Sequence, residues 1–384
     1  MQDAGLSQEV NTVARRVSTR AVFFIAGFAM GVWAPLVPYA QQRLQLDAGS
    51  LGLLLLCLGT GSLITMLFSG KLTSRFGCRA MVIAGALMAC LALPLLATTE
   101  SLSLMVASLL LFGAGVGLTD VTVNIQGTLV EQQSEVPLMS GFHGLFSVGG
   151  IAGAAGGSLV LGAGMSPLLM VFSAVTLMLL TMILSLPHLL PFASHQQQQH
   201  SVFRLNLRLI LMAGMCMLCF LAEGAMLDWS GIWLTEQRGL AIVHAGWGYA
   251  VFGGAMALMR LTGDRLVSRL GRKKILILSG VFAAAGYALA VLLPGIASSL
   301  GGFILVGIGA ANVAPVITTL AGKEQVMPSN LSVAFVATVG YLGILMGPAV
   351  LGFIAHGYGL AMAFTCMSLS LLLVAAGALK LDYR

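Results

Sequence analysis

Long apolar stretches alternate with short polar ones along the whole chain. A helix needs about 20 apolar residues to cross a hydrocarbon core. Runs of that length lie near 20–42, 47–69, 79–98, 101–127, 137–163, 166–186, 207–235, 240–262, 273–293, 296–320, 329–354 and 358–380. The pattern predicts twelve transmembrane helices, and most connections are so short that neighbours must run antiparallel. The first run is too long for a secretory signal, contains Pro35 and Pro38 and lacks a small-x-small cleavage site, so it reads as a retained helix. The longest connection, Pro187 to Asn206, holds the run Gln196 to Gln199 between His195 and His200. Glutamine does not ligate metals and the histidine spacing is loose, so this segment reads as a solvated linker. The expected organisation is a polar tail at 1–19, a six-helix bundle at 20–186, a linker at 187–206 and a second six-helix bundle at 207–384.

Composition sharpens the picture. Of 384 residues, 58% are hydrophobic and 8% charged, against roughly 25% charged in a soluble domain. The mean hydropathy is +0.97. So much apolar surface has no hiding place in a water-soluble globule of this size. A soluble enzyme, a disulfide scaffold, a disordered chain and a nucleic-acid binder are excluded. The six cysteines are scattered and imply no disulfide framework. Nineteen basic residues face thirteen acidic ones, and their placement sets the orientation. With the N-terminus inside, sixteen Lys and Arg fall in cytoplasmic segments, only Arg43 and Arg238 fall outside, and Arg260 sits within a span. Both termini are therefore expected in the cytoplasm.

The two halves repeat. Leu72, Ser74, Arg75 and Gly77, after the second run, recur as Leu266, Ser268, Arg269 and Gly271, after the eighth. The same offset of 194 maps Gly113 and Gly115 onto Gly307 and Gly309, and Gly149 and Gly153 onto Gly343 and Gly347. In the first and seventh runs an offset of 196 aligns Ala29, Met30 and Trp33 with Ala225, Met226 and Trp229. Two duplicated bundles of this kind predict a solute site near the midplane between them.

The basic turn, Gly70-Lys71-Leu72-Thr73-Ser74-Arg75-Phe76-Gly77-Cys78-Arg79, resembles the loop motif of the major facilitator superfamily. Both copies depart from the motif, with Ser74 and Ser268 at its acidic position, and Asp264 replaces its leading glycine in the second copy. The resemblance spans the whole chain. It implies an all-α, two-bundle membrane fold and a cytoplasmic gate shaped by Lys71, Arg75, Arg79, Asp264, Arg265, Arg269 and Arg272. A narrower likeness runs through Gly117 to Asn124, Gly141 to Ser147, Ala222 to Gly224 with Asp228 and Trp229, and Gly340 to Pro348. These segments are similar to YbjJ-like bacterial inner-membrane transporters. The acid four residues before Asn124 is also similar to the fucose/galactose/glucose:proton symporters, which implies a role in proton coupling for Asp120.

Three acids, Asp120, Glu223 and Asp228, interrupt apolar runs. An ionised carboxylate at bilayer depth costs about 2.5 kcal/mol or more, so such a group faces a wet cavity, pairs or holds a proton. Asp120 and Asn124 share one helix face and suit a hydroxyl-rich solute. Asp228 lies about 140° around the helix from Glu223. His143, inside the fifth run, is a candidate proton relay because imidazole titrates near neutral pH. Trp33 and Trp229 are candidate solute platforms, while Trp233 and Trp247 read as interfacial belt residues. Asn312, with Pro315 freeing a nearby carbonyl, is a further candidate solute contact. The proton-coupling set is Asp120, Glu223 and His143; the solute set is Asn124, Trp33, Trp229, Asn312 and Asp228. No Ser/His/Asp set, zinc motif or nucleotide loop accompanies them.

The expected function is secondary active transport of a small polar solute, a sugar or derivative, by proton symport across the bacterial inner membrane. No enzyme activity, metal or cofactor is expected beyond the proton gradient. The expected partners are solute, protons and lipids, with a monomeric chain. A rival reading is proton-driven efflux of amphipathic compounds, favoured by the 21 methionines. A non-transporting sensor is a third, and the chain has no soluble output domain to support it.

Overall fold

The computed structural model describes residues 11–135, 138–193, 205–324 and 329–381. The elements are α1 (Val13–Trp33), α2 (Val37–Leu44), α3 (Ala48–Thr98), α4 (Leu102–Gln132), α5 (Met139–Gly162), α6 (Pro167–Ser185), α7 (Leu207–Ile232), α8 (Trp247–Leu270), α9 (Arg272–Leu292), α10 (Ile296–Ala310), α11 (Val313–Ala321), α12 (Ser329–Tyr358) and α13 (Leu360–Lys380). Eleven helical segments among the described residues are long and apolar enough to cross a membrane. One of them, α3, has 51 residues. At 1.5 Å per residue it would run about 75 Å, far beyond a core of about 30 Å. It breaks at Gly77, whose φ of 84° and ψ of 162° are not helical. The repeat-related Gly271, with φ 79°, separates α8 from α9 in the same way. Only glycine takes such angles cheaply, which explains why both basic turns carry one.

Prolines set two further breaks. Pro35 lacks the amide hydrogen that would continue α1, and the chain tightens into a 3-10 turn over Ala34–Leu36 before α2. Pro315 acts likewise: α10 and α11 are separate helices, parted at Ala311 and Asn312.

The chain divides into two compact units, Met1–Gln45 with Cys57–Gln197, and Leu46–Leu56 with Gln198–Arg384. In the first unit, α1 packs along α5. A side chain on Gly149 would strike the Phe24 carbonyl and the Phe28 amide, and one on Gly113 would strike the Leu58 carbonyl. In the second unit, a side chain on Gly343 would strike the Met217 carbonyl and the Leu221 amide, and one on Gly307 the Phe252 carbonyl. Leu58 and Phe252 keep the offset of 194, whereas Phe24 and Met217 are 193 apart. The packing register of α1 and α7 is therefore 193, not the 196 expected from Trp33 and Trp229, because backbone contact at small residues, not similarity of large ones, defines equivalence. Methionines and aromatics are free to differ between halves where glycine seams are not.

The second unit includes the start of α3. Gly52 lies against Pro348 and Gly352 of α12, so close that no side chain fits. Beside this seam, Asp47 accepts hydrogen bonds from the Gly49 amide and from the Ser50 amide and hydroxyl, capping α3, and pairs with Nδ1 of His356 at 2.9 Å. The Ser50 amide and hydroxyl foremost, then the Gly49 amide and His356, hold the Asp47 carboxyl below its ordinary range.

Each unit also repeats one arginine device. Arg43 donates to the carbonyls of Leu96, Ala97 and Thr99 at the end of α3. Arg238 donates to the carbonyls of Ala290 and Leu293 at the end of α9 and to the Ser299 hydroxyl. Leu96 and Ala290, and Thr99 and Leu293, are again 194 apart. A guanidinium on exposed C-terminal carbonyls satisfies orphan acceptors and complements the helix dipole.

Candidate functional site

In the first unit a cluster of polar groups is centred on α4. Asp120 is half-buried, and Asn124 Nδ2 donates to its backbone carbonyl at 2.8 Å and to its Oδ1 at 3.3 Å. The i, i+4 spacing brings the two together within one helix, and no cation pairs with Asp120 among the described residues. Below them, the hydroxyls of Thr122 and Thr73 meet at 3.1 Å. Gln126, fully buried, donates to the Thr19 hydroxyl and accepts from the Leu190 amide, tying α1 and the segment after α6 to α4. The exposed His143 ring stands edge-on to Phe23, with centroids 5.0 Å apart.

In the second unit the acids have different surroundings. Glu223 Oε1 pairs with Arg260 NH2 at 3.1 Å. Arg260 Nε also donates to the Ala311 carbonyl at 3.4 Å. Ala311 is four residues before Pro315, so its carbonyl has lost its ordinary helical donor. Cys219 Sγ donates to the neighbouring carbonyl of Ala310 at 3.3 Å. The break between α10 and α11 thus turns two carbonyls toward α7 and α8. Asn312 sits in that break, buried, with its Oδ1 against Gly263. Tyr249, Cys216 and Cys219 lie within electrostatic reach of Glu223.

Among the other predicted residues, Trp33 and Trp229 are fully buried, and neither indole N–H has a partner among the described residues. They are core groups in this structure rather than walls of open space. Asp228, a candidate solute contact, is also buried. Trp233 is not a belt residue. It stacks on Phe364 at 4.6 Å, donates to the Ser299 hydroxyl, and carries Arg238 on its face at 4.8 Å. The π-helical turn at Trp233–Gln237 swings it inward. Of the basic-turn residues, Lys71, Arg265 and Arg269 are exposed, Arg75 lies over the Phe76 ring at 5.2 Å, and Arg272 opens α9. Arg79 donates to the carbonyls of Pro187 and Leu189, fastening the end of α6 to the Gly77 turn of its own unit. The side chain of Asp264 and the histidines His195 and His200 lie outside the described residues. The residue that sequence reasoning passed over is Arg260. An arginine within an apolar run was itself the signal, since such a charge requires a partner at its own depth.

With this geometry in place, likeness to known proteins becomes informative. The sequence model of the Major Facilitator Superfamily matches residues 21–325. An uncharacterised MFS-type transporter of Yersinia pestis is 47% identical over 367 residues, covering 95% of each chain. A crystal structure of a mutant of the nucleoside transporter NupG superposes with a TM-score of 0.78 at 16% identity, over 95% of this chain and 99% of that one. A D-xylose-proton symporter gives 0.72 at 16% identity, over 96% and 97%.

Proposed function

Because the chain belongs to the Major Facilitator Superfamily, we propose that it is a proton-coupled importer of a small polar solute, a sugar or derivative. It is a multi-pass membrane transporter, and its setting on this reading is the bacterial inner membrane. On this reading α3 crosses twice, giving twelve spans with both termini in the cytoplasm. The fold-level likeness to a nucleoside transporter and a D-xylose-proton symporter supports the solute class.

The observation that carries proton coupling is the state of Asp120. It is a carboxyl at bilayer depth with an amide neighbour and no cation among the described residues. Charge neutrality there requires a proton, because an ionised carboxylate in that setting is costly. Releasing and regaining that proton as access changes sides couples the gradient to solute movement. Asn124, on the same face, presents an amide to solute hydroxyls as Asp120 is unloaded.

Reconstitution in liposomes tests this. With an inward proton gradient, wild-type protein accumulates radiolabelled members of a sugar and nucleoside panel above equilibrium, and a protonophore abolishes the accumulation. Solute expelled against its gradient as protons enter identifies antiport instead.

A further inference from the structure

Arg260 and Glu223 form an ion pair in α8 and α7, both at depth within apolar helices. The pair is incompletely sealed: the side chains keep 35% and 19% of their surfaces open. Two of the guanidinium's five N–H groups are engaged among the described residues, one by Glu223 and one by the Ala311 carbonyl. An ion pair this open adds little net stability, so stability alone gives weak reason to carry one here. The pair also breaks the repeat. At the registers of α7 and α8, Met30 and Met66 occupy the equivalent places in the first unit. The same scaffold is thus built there with two methionines.

We propose that Arg260 binds an anionic group, a carboxylate or phosphate, on the transported solute, and that Glu223 is the internal counter-anion exchanged for it. This rests on the reading of the chain as a proton-coupled solute carrier. In the empty site Glu223 and Arg260 neutralise each other. When the solute's anion takes Arg260, Glu223 loses its partner and takes a proton from hydronium, one O–H bond breaking there as one forms on the carboxyl and neutral water is released. For a monoanion, a carboxylate or a singly ionised phosphate ester, the charge at depth is the same before and after, so no unpaired charge is created in the membrane interior. The Ala311 carbonyl holds the Nε edge of the guanidinium throughout, leaving the exchange to the other edge.

The other ionisable groups around Glu223 are few. Asp228, Cys216 and Cys219 share α7, Tyr249 shares α8 with Arg260, Tyr287 of α9 donates to the Ala222 carbonyl, and Tyr341 of α12 packs on Phe220. The segments α10 and α11 contain no ionisable residue. Arg260 is the only cation among these groups, and Glu223 and Asp228 are the acids.

Purified full-length protein in detergent is titrated at fixed ionic strength with D-glucuronate, D-glucose 6-phosphate and D-glucose, reading thermal stabilisation and proton uptake in weak buffer. The expected result is stabilisation by one or both anions, with close to one proton taken up per D-glucuronate bound and up to one more per phosphate ester that binds singly ionised. Which anion binds decides between carboxylate and phosphate. Arg260→Gln weakens anion binding roughly ten- to a hundredfold, the scale of a charged hydrogen bond. Glu223→Gln keeps anion binding, tightens it at high pH and abolishes the proton uptake with D-glucuronate. The double variant Arg260→Gln/Glu223→Gln leaves no orphan charge to misfold the chain, and still fails to bind anions. Failure of both anions to bind wild type, or undiminished anion binding in the double variant, overturns the assignment. If D-glucose binds and moves with protons while the double variant behaves as wild type, this assignment falls and the symporter reading stands. If nothing in the wider panel is moved with protons, both fall.

Discussion

Two carboxyls within apolar helices differ in their counter-charge. Glu223 has a guanidinium at 3.1 Å, whereas Asp120 has the amide of its own helix. The difference predicts different mutants. Asp120→Asn removes the titrating group and keeps the shape, so proton-driven accumulation is lost while solute exchange down its own gradient persists. Uptake and counterflow assays in the same liposomes check the split. At the membrane edge, Asp47 gives a pH prediction. Its folded pKa is depressed, so its capping contribution is fully present above the ordinary carboxylate range and fades as pH falls through the lowered value. Thermal unfolding between pH 6 and pH 3 therefore loses more stability in wild type than in Asp47→Asn. Asp120 was legible as a charge in an apolar run. The partner of Glu223 was not, because it depends on how two helices are rotated about their axes.

Several helices owe their ends here to glycine or proline. Gly271 at φ 79° leaves no strain-free alternative for other residues, so Gly271→Ala costs about 1 kcal/mol or more. A lower unfolding midpoint in detergent, with a similar loss for Gly77→Ala, checks it. From the proposed role of Arg260, Pro315 carries a functional prediction as well. In Pro315→Ala an amide is restored opposite the Ala311 carbonyl, which then competes with Arg260 Nε. Helicity is kept or raised, and solute affinity falls. The motif at each basic turn was legible because glycine is required at a fixed place. The inward swing of Trp233 was not, since a π-helical turn at Trp233–Gln237 re-aims side chains without a signature in the hydropathy pattern.

Across the molecule the duplication is carried by close backbone contacts and by arginine caps. Arg43 and Arg238 were counted in the sequence as the two exceptions to a basic cytoplasmic face. In the structure they are the same device used twice, each closing a helix C-terminus. Charged hydrogen bonds of this kind are worth about 1.5–3 kcal/mol. Arg43→Ala and Arg238→Ala should each lower the unfolding midpoint by comparable amounts, in differential scanning of the purified protein. The halves diverge in their charges. Asp120 has Ala314 as its counterpart, and Glu223 and Arg260 have Met30 and Met66. The repeated positions carry the scaffold, and these charges stand on one side only.

Sequence alone determined the number and length of apolar runs, the basic turns, the duplication and the presence of acids where lipid forbids them. These are local properties: a membrane forces each segment to satisfy its own backbone, so length and hydropathy suffice to find it. Tertiary structure decided the packing register of α1 and α7, the burial of Trp33, Trp229 and Trp233, and the partner of Glu223. Those depend on helix rotation and on the break at Ala311 and Asn312, which join residues 37 or more positions apart. No periodicity along one segment encodes such a meeting.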